Sequence, residues 1–233
     1  MRCGAVRPSS WVLPVRQRFT RQILFGGVEA IPFTMFAGVT AGIVLTLNSY
    51  KSLEFRGQID FLGPVLSILV IREAAPFFAC VIIISASASA ITTEIAMMRV
   101  NGEVDLIEGQ GANLVQFLVM PRAIGFAQAA TGLAAMFVAC AFAASAIAIL
   151  MIGRISLWAF FNLTFDAIVL ADFLNLNGRS TVPAFLIGVI CCHEGLRVSE
   201  PVTVVRQAVT KAMLRAVAVT LVLSAAFAVL TYL

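Results

Sequence analysis

The sequence predicts an all-α integral membrane protein with about five transmembrane helices, an N-terminal interfacial helix and a short acidic helix on the cytoplasmic side. Three observations lead there. The 233 residues are 61% hydrophobic and 12% charged, where a soluble domain carries roughly 25% charged residues. Apolar runs long enough to cross a bilayer recur along the chain, each needing about twenty residues. The Lys and Arg residues fall mostly on one side of those runs.

Residues 1–25 mix Arg2, Arg7, Arg16, Arg18 and Arg21 with Trp11, Val15, Phe19, Ile23, Leu24 and Phe25. That mixture suits a helix lying on the membrane surface, aromatic side toward lipid and arginines toward phosphates. A disordered positive flank would orient the first span equally well. The run WVLPV at 11–15 is broken by proline and followed by arginines, so no cleaved signal peptide is expected.

Membrane spans are expected at 28–49, 61–91, 123–152, 167–194 and 213–233, within a single domain covering 1–233. The second span holds Arg72, Glu73 and Pro76, so a kink or tilt is expected in it. With the N-terminus inside, the segments 92–122 and 195–212 are cytoplasmic. Eleven Lys and Arg residues then lie inside, against Lys51, Arg56, Arg154 and Arg179 outside and Arg72 within a span. This asymmetry follows the positive-inside rule.

Small residues mark where helices can approach. Gly38 and Gly42 form a GxxxG pair in the first span, and Ser85 and Ser89, with Ala86 and Ala90, form ridges in the second. Such ridges favour a packed and dimer-competent bundle.

The stretch EIAMMRVNGEVDLIEG (94–109) holds four carboxylates and Arg99 in an otherwise apolar chain. As one helix at 100° per residue, it would set Asn101, Asp105 and Glu108 within about 40° of Glu94. A short charged helix with apolar flanks just outside a membrane suits docking into a groove on a soluble partner. A solvated loop kept out of lipid by its charge is the alternative, but it would not need the interleaved Ile95, Met97, Met98 and Ile107.

Other function classes are set aside on composition. The net charge of +4 comes without a basic run interleaved with aromatics, which leaves no nucleic-acid footprint. The five cysteines have no paired CxxC spacing and read as small buried apolar residues. Adjacent side chains in Cys191-Cys192-His193-Glu194 point in different directions and do not close a tetrahedral metal site. His193 is the single histidine, and neither Gly-x-Ser-x-Gly nor His-Glu-x-x-His occurs, which argues against an intramembrane enzyme. No GxxxxGK[ST] occurs either, so the chain lacks that phosphate-cradling loop. Arg72 and Glu73 stand out, because ionisable residues inside a span are functional candidates by default. For Arg72 the alternatives are snorkelling to the interface or pairing with a local carboxylate.

Residues 71–122 resemble the signature region of the MlaE/YrbE family of ABC-transporter permeases, whose pattern runs roughly L-x-R-E-L-G-P, A-G-R-x-G-S-A-x-x-A-E and M-R-V-x-E-Q-x-D-A-L-E, ending in P-R. Arg72, Glu73 and Pro76 match the first part. Glu94, Met98, Arg99, Val100, Glu103, Asp105 and Glu108 match the middle, and Pro121-Arg122 the end. The resemblance extends upstream through RQILFGGVEAIP (21–32) and GIVLTLNSY (42–50). Downstream it takes in Asp172, Arg179, EGL (194–196) and VRQAVTKAM (205–213). At 85–90 the chain has SASASA where the family has A-G-R-x-G-S-A.

The resemblance implies a self-pairing permease of the bacterial inner membrane that moves lipid between that membrane and the outer envelope. Its coupling helix, with Glu94, Met98, Arg99, Glu103, Asp105 and Glu108, would dock on a cytoplasmic ABC ATPase carrying the ATP and Mg, with no cofactor on this chain. A periplasmic MCE-domain protein is the implied outer partner. A non-transporting scaffold subunit of such a complex is the alternative.

Overall fold

The structure, a computed structural model, describes residues 30–57, 61–109, 111, 114–152, 158, 160, 162–164, 170–198 and 202–232. The expected interfacial helix at 1–25 lies outside these residues. The main described elements are helices: α1 Ile31–Arg56, α2 Leu62–Val100, α3 Glu103–Gly109, α4 Met120–Ile152, α5 Leu170–Leu196 and α6 Val202–Tyr232.

α1 begins with Pro32 in its first turn, where the missing N–H has no intrahelical partner to lose. It ends at Gly57, whose φ of +67° lets its N–H turn back to the Glu54 carbonyl at 3.1 Å. One face carries exposed Phe33, Phe36 and Val44, as a lipid-facing surface requires. The other face packs on α4 through the GxxxG pair. A Cβ on Gly42 would stand 2.4 Å from the Ala141 carbonyl oxygen, and one on Gly38 3.0 Å from Cys140 Cβ. The two glycines therefore serve close backbone approach within one chain. Thr34 and Thr46 on this helix donate to the carbonyls of Ala30 and Gly42 at 2.8 and 2.7 Å, which satisfies hydroxyls that have no water to turn to.

α2 runs 39 residues, roughly 58 Å at 1.5 Å per residue, about twice the hydrocarbon thickness. It is interrupted by π-helical stretches at Ile68–Ala74 and Ile84–Ala88. The first has a cause in Pro76, which has no N–H to offer the Arg72 carbonyl and whose ring crowds it. The freed carbonyl accepts instead from Arg179 Nη1 at 2.7 Å. Along the second stretch Ser87 and Ala88 are buried, while Ser85 and Ala86 are exposed and Ser89 half-buried. The Ser85 hydroxyl returns to the Ile82 carbonyl at 2.8 Å.

The expected single helix over 94–109 is not formed. α2 ends at Val100, and Asn101-Gly102 turns the chain, with Gly102 at φ +75°. An Asn-Gly pair is a turn signal, and the left-handed conformation it needs is cheap only for glycine. α3 then starts in a new direction, so Glu94 does not share a stripe with Asp105 and Glu108.

Among the described residues, four helices are long and apolar enough to cross a membrane: the stretches Ile31–Phe55, Leu62–Val100, Met120–Ile152 and Val205–Thr231. The fifth, α5, forms over 27 residues but is more polar, with Asp172, Asn175, Asn177 and Arg179 in its first half. It sits against α2, α4 and α6, and this central place covers Asp172, Arg179 and Ser180 from lipid. The main core gathers Val70, Ile71, Ile82, Ile83 and Ile95 of α2 with Phe126, Leu133 and Phe137 of α4 and Ala184, Ile187 and Cys191 of α5.

Candidate functional site

Two tiers of charged residues stand out, one inside the bundle and one at the end where α2 and α5 finish and α4 and α6 begin. Asp172 and Arg179 are seven residues apart and so share one face of α5. Both meet α2. Arg72 Nε donates to Asp172 Oδ1 at 2.6 Å, and Arg179 makes a two-pronged contact with the Glu73 carboxylate at 2.8 and 3.1 Å. Arg179 also reaches the Ser224 carbonyl of α6 at 3.4 Å. Two cations and two anions thus cancel inside the bundle, the arrangement that lets charges persist at membrane depth.

Beside this tier lies a cavity of about 280 Å³, lined by Leu45, Leu69, Ala74, Pro76, Phe77 and Phe227, with Glu73, Arg179 and Ser224 as its polar groups. Of the polar candidates within this span, Arg72 is held by Asp172 while Glu73 lines the cavity together with Pro76 and Arg179. Periodicity within α2 gives no sign of partners 100 residues away. The available signal was the pair of opposite charges two turns apart, Asp172 and Arg179, in the polar first half of α5.

In the second tier Arg122 Nη2 donates to Glu94 Oε1 at 2.8 Å, joining α2 to α4. Arg99 Nη1 donates to Asp105 Oδ1 at 2.7 Å across the Asn101-Gly102 turn, joining α2 to α3. Arg215 pairs with Glu194, joining α6 to α5. The Arg122 guanidinium also lies against the Cys192 thiol of α5. His193 is exposed while Cys191, Cys192 and Glu194 are buried, so these four neighbours do not converge.

α3 is amphipathic despite its seven residues. Val104 is fully buried and Ile107 packs against the main core, while Glu103, Asp105, Leu106 and Glu108 face outward, Leu106 being 69% exposed. Of the other residues expected to couple, Met98 is buried in the core and Glu94 is tied to Arg122. The outward surface is completed by Met97 and Val100 at the end of α2. Arg122, Glu194 and Arg215 had no role assigned from sequence, because their roles depend on which helix ends meet.

The chain has relatives of known type. It is 26% identical to a probable ABC transporter permease protein of Rickettsia typhi, across 75% of this chain and 68% of the relative. It is also 26% identical to a probable ABC transporter permease protein of Pyropia yezoensis, across 75% of this chain and 66% of the relative. A probable ABC transporter permease protein of Synechocystis is 28% identical over 47% of this chain and 41% of the relative. The family model described as permease MlaE matches residues 19–230, which takes in both charged tiers, the cavity and α3, and by that match this chain is an ABC transporter permease belonging to the MlaE family.

Proposed function

We propose that this permease couples ATP hydrolysis on a partner chain to lipid movement, and that α3 with the adjoining end of α2 is where the ATPase docks. The observation that carries this reading is the surface of α3. Val104 and Ile107 anchor it to the bundle, leaving Glu103, Leu106 and Glu108 displayed outside, an apolar contact ringed by charge of the kind that seats in a groove. A loop needed only for solubility has no reason to expose Leu106.

The cargo is a lipid of phospholipid type. A cavity with aliphatic and aromatic walls and one ion pair fits an amphiphile, since chains meet the walls and a head group meets Glu73 or Arg179. The chain lies in the bacterial inner membrane with its N-terminus cytoplasmic, as the Lys and Arg distribution supports. It works as a homodimer, for which the uncovered small residues Ser85, Ala86 and Ala90 of α2 offer close approach. A periplasmic MCE-domain protein completes the assembly on the outer side.

Reconstitution of the permease with its ATPase in proteoliposomes, with a fluorescent phospholipid as probe, tests the cargo. ATP-dependent movement of the probe is expected. ATP hydrolysis with no movement, across phospholipids of several head groups, would favour a scaffold subunit and contradict the transport reading.

A further inference from the structure

We propose that the Glu94–Arg122 pair is a latch that passes motion of α3 to α4 and α5, with both residues acting as positioning residues rather than contacts for ATPase or cargo. The inference rests on the docking reading above and concerns what happens after docking.

Glu94 lies six residues before the end of the helix that carries α3. Its partner Arg122 lies three residues into α4, directly after a π-helical turn at Val115–Val119. The Arg122 side chain is 6% exposed while that of Glu94 is 54% exposed. The cation is therefore enclosed and the anion is at the rim, within reach of displacement by water or by a shift of α2. Arg122 also touches Cys192 of α5, and two residues further along α5 Glu194 holds Arg215 of α6. Polar contacts thus join α2 to α4, α4 to α5 and α5 to α6 at the end of the bundle where α3 sits, the last two meeting α5 at neighbouring positions.

The guanidinium is only partly held. Its Nη1 is buried with no hydrogen-bond partner among the described residues, a state that costs free energy unless some other arrangement satisfies it. A π-turn at the foot of α4 supplies a place for that helix end to shift, since such turns relax to α-helix by moving one residue. A push on α3 that draws Glu94 away releases Arg122 and with it the foot of α4. Without the pair, α2 would take up the displacement alone.

Hydrogen exchange on the detergent-purified complex reads this directly, comparing the permease alone with the permease bound to its ATPase and a non-hydrolysable ATP analogue. In the wild type, exchange is expected to change roughly fivefold or more at both 103–109 and 115–122, the size of a modest coupling between sites. Glu94→Gln keeps the shape of a half-exposed side chain and removes its charge. It is expected to retain the response at 103–109 and lose the one at 115–122. A Glu94→Gln variant that responds at both segments overturns the latch, as does a wild type that responds at 103–109 alone. Loss of both responses in Glu94→Gln would make Glu94 part of docking itself and also overturn the latch. A wild type silent at 103–109 defeats the docking reading, and the latch falls with it.

Discussion

In the tier inside the bundle, two ion pairs join the same two helices, α2 and α5, and each is supported on the enclosed side: Asp172 and Arg179 are 3% and 5% exposed. In the tier at the helix ends, three pairs join three different helix combinations, and each leaves one partner at least half exposed. The same residue types therefore serve two ends. Enclosed pairs with extra carbonyl contacts fix two helices as one unit, because separating them would leave a charge in apolar surroundings. Pairs with one wet partner are weaker and exchangeable with water, which suits joints that have to move. The contrast sets the more enclosed pairs beside the cavity and the wetter ones beside α3.

The largest expected effect comes from breaking the inner tier. Arg179→Met would leave the Glu73 carboxylate facing the cavity and the Arg72 carbonyl without its donor. A loss of about 3 kcal/mol is expected, in the range for removing one partner of a buried pair, read as a lowered thermal unfolding midpoint in detergent. Adding Glu73→Met to it is expected to recover most of that loss, since replacing both partners by apolar groups of similar volume is often neutral. Failure to recover would mean that the carbonyl contacts of Arg179, rather than its carboxylate partner, hold α2 to α5.

A smaller effect is expected where no charge is involved. Gly42→Ala sets a methyl 2.4 Å from the Ala141 carbonyl oxygen, so α1 has to move off α4 at about 2 kcal/mol, as for other overpacked sites. Gly132→Ala, where a Cβ meets nothing within 4 Å, is the matched control and is expected to leave the midpoint unchanged. The smallest effect is expected in the outer tier. Arg99→Ala removes an exposed pair with Asp105, and its stability change should stay within about 0.5 kcal/mol. A large destabilisation there would erase the distinction between the tiers.

Much of this architecture was legible in the sequence. Apolar runs announced the long helices, the Gly38–Gly42 spacing announced a close helix contact, and 94–109 announced itself by its charge. What stayed hidden has physical reasons. The helical spacing of Glu94, Asp105 and Glu108 reads straight through Asn101-Gly102, although that dipeptide is itself a turn signal, and following the period over the breaker merged two helices into one. The partners of Arg72, Glu73 and Arg122 depend on which helices become neighbours, and local periodicity carries no such information. Hence the pairing of Arg72 with Asp172, and the place of Glu73 and Arg179 at the cavity wall, emerge only once the helices are assembled. Met98, likewise, sits in the middle of a stretch marked for docking yet points into the core, because α2 continues through it as a buried helix.

The central claim is that α3 is the seat of the ATPase, and copurification tests it most directly. The detergent-solubilised permease would be captured with its ABC ATPase, comparing wild type with a Glu103→Arg, Glu108→Arg double substitution whose sites are exposed and whose melting temperature should not change. A loss of bound ATPase of roughly tenfold or more is expected, as for charge reversal at an interface. Undiminished capture of the ATPase by the folded variant would contradict the account and leave α3 as a solvated turn.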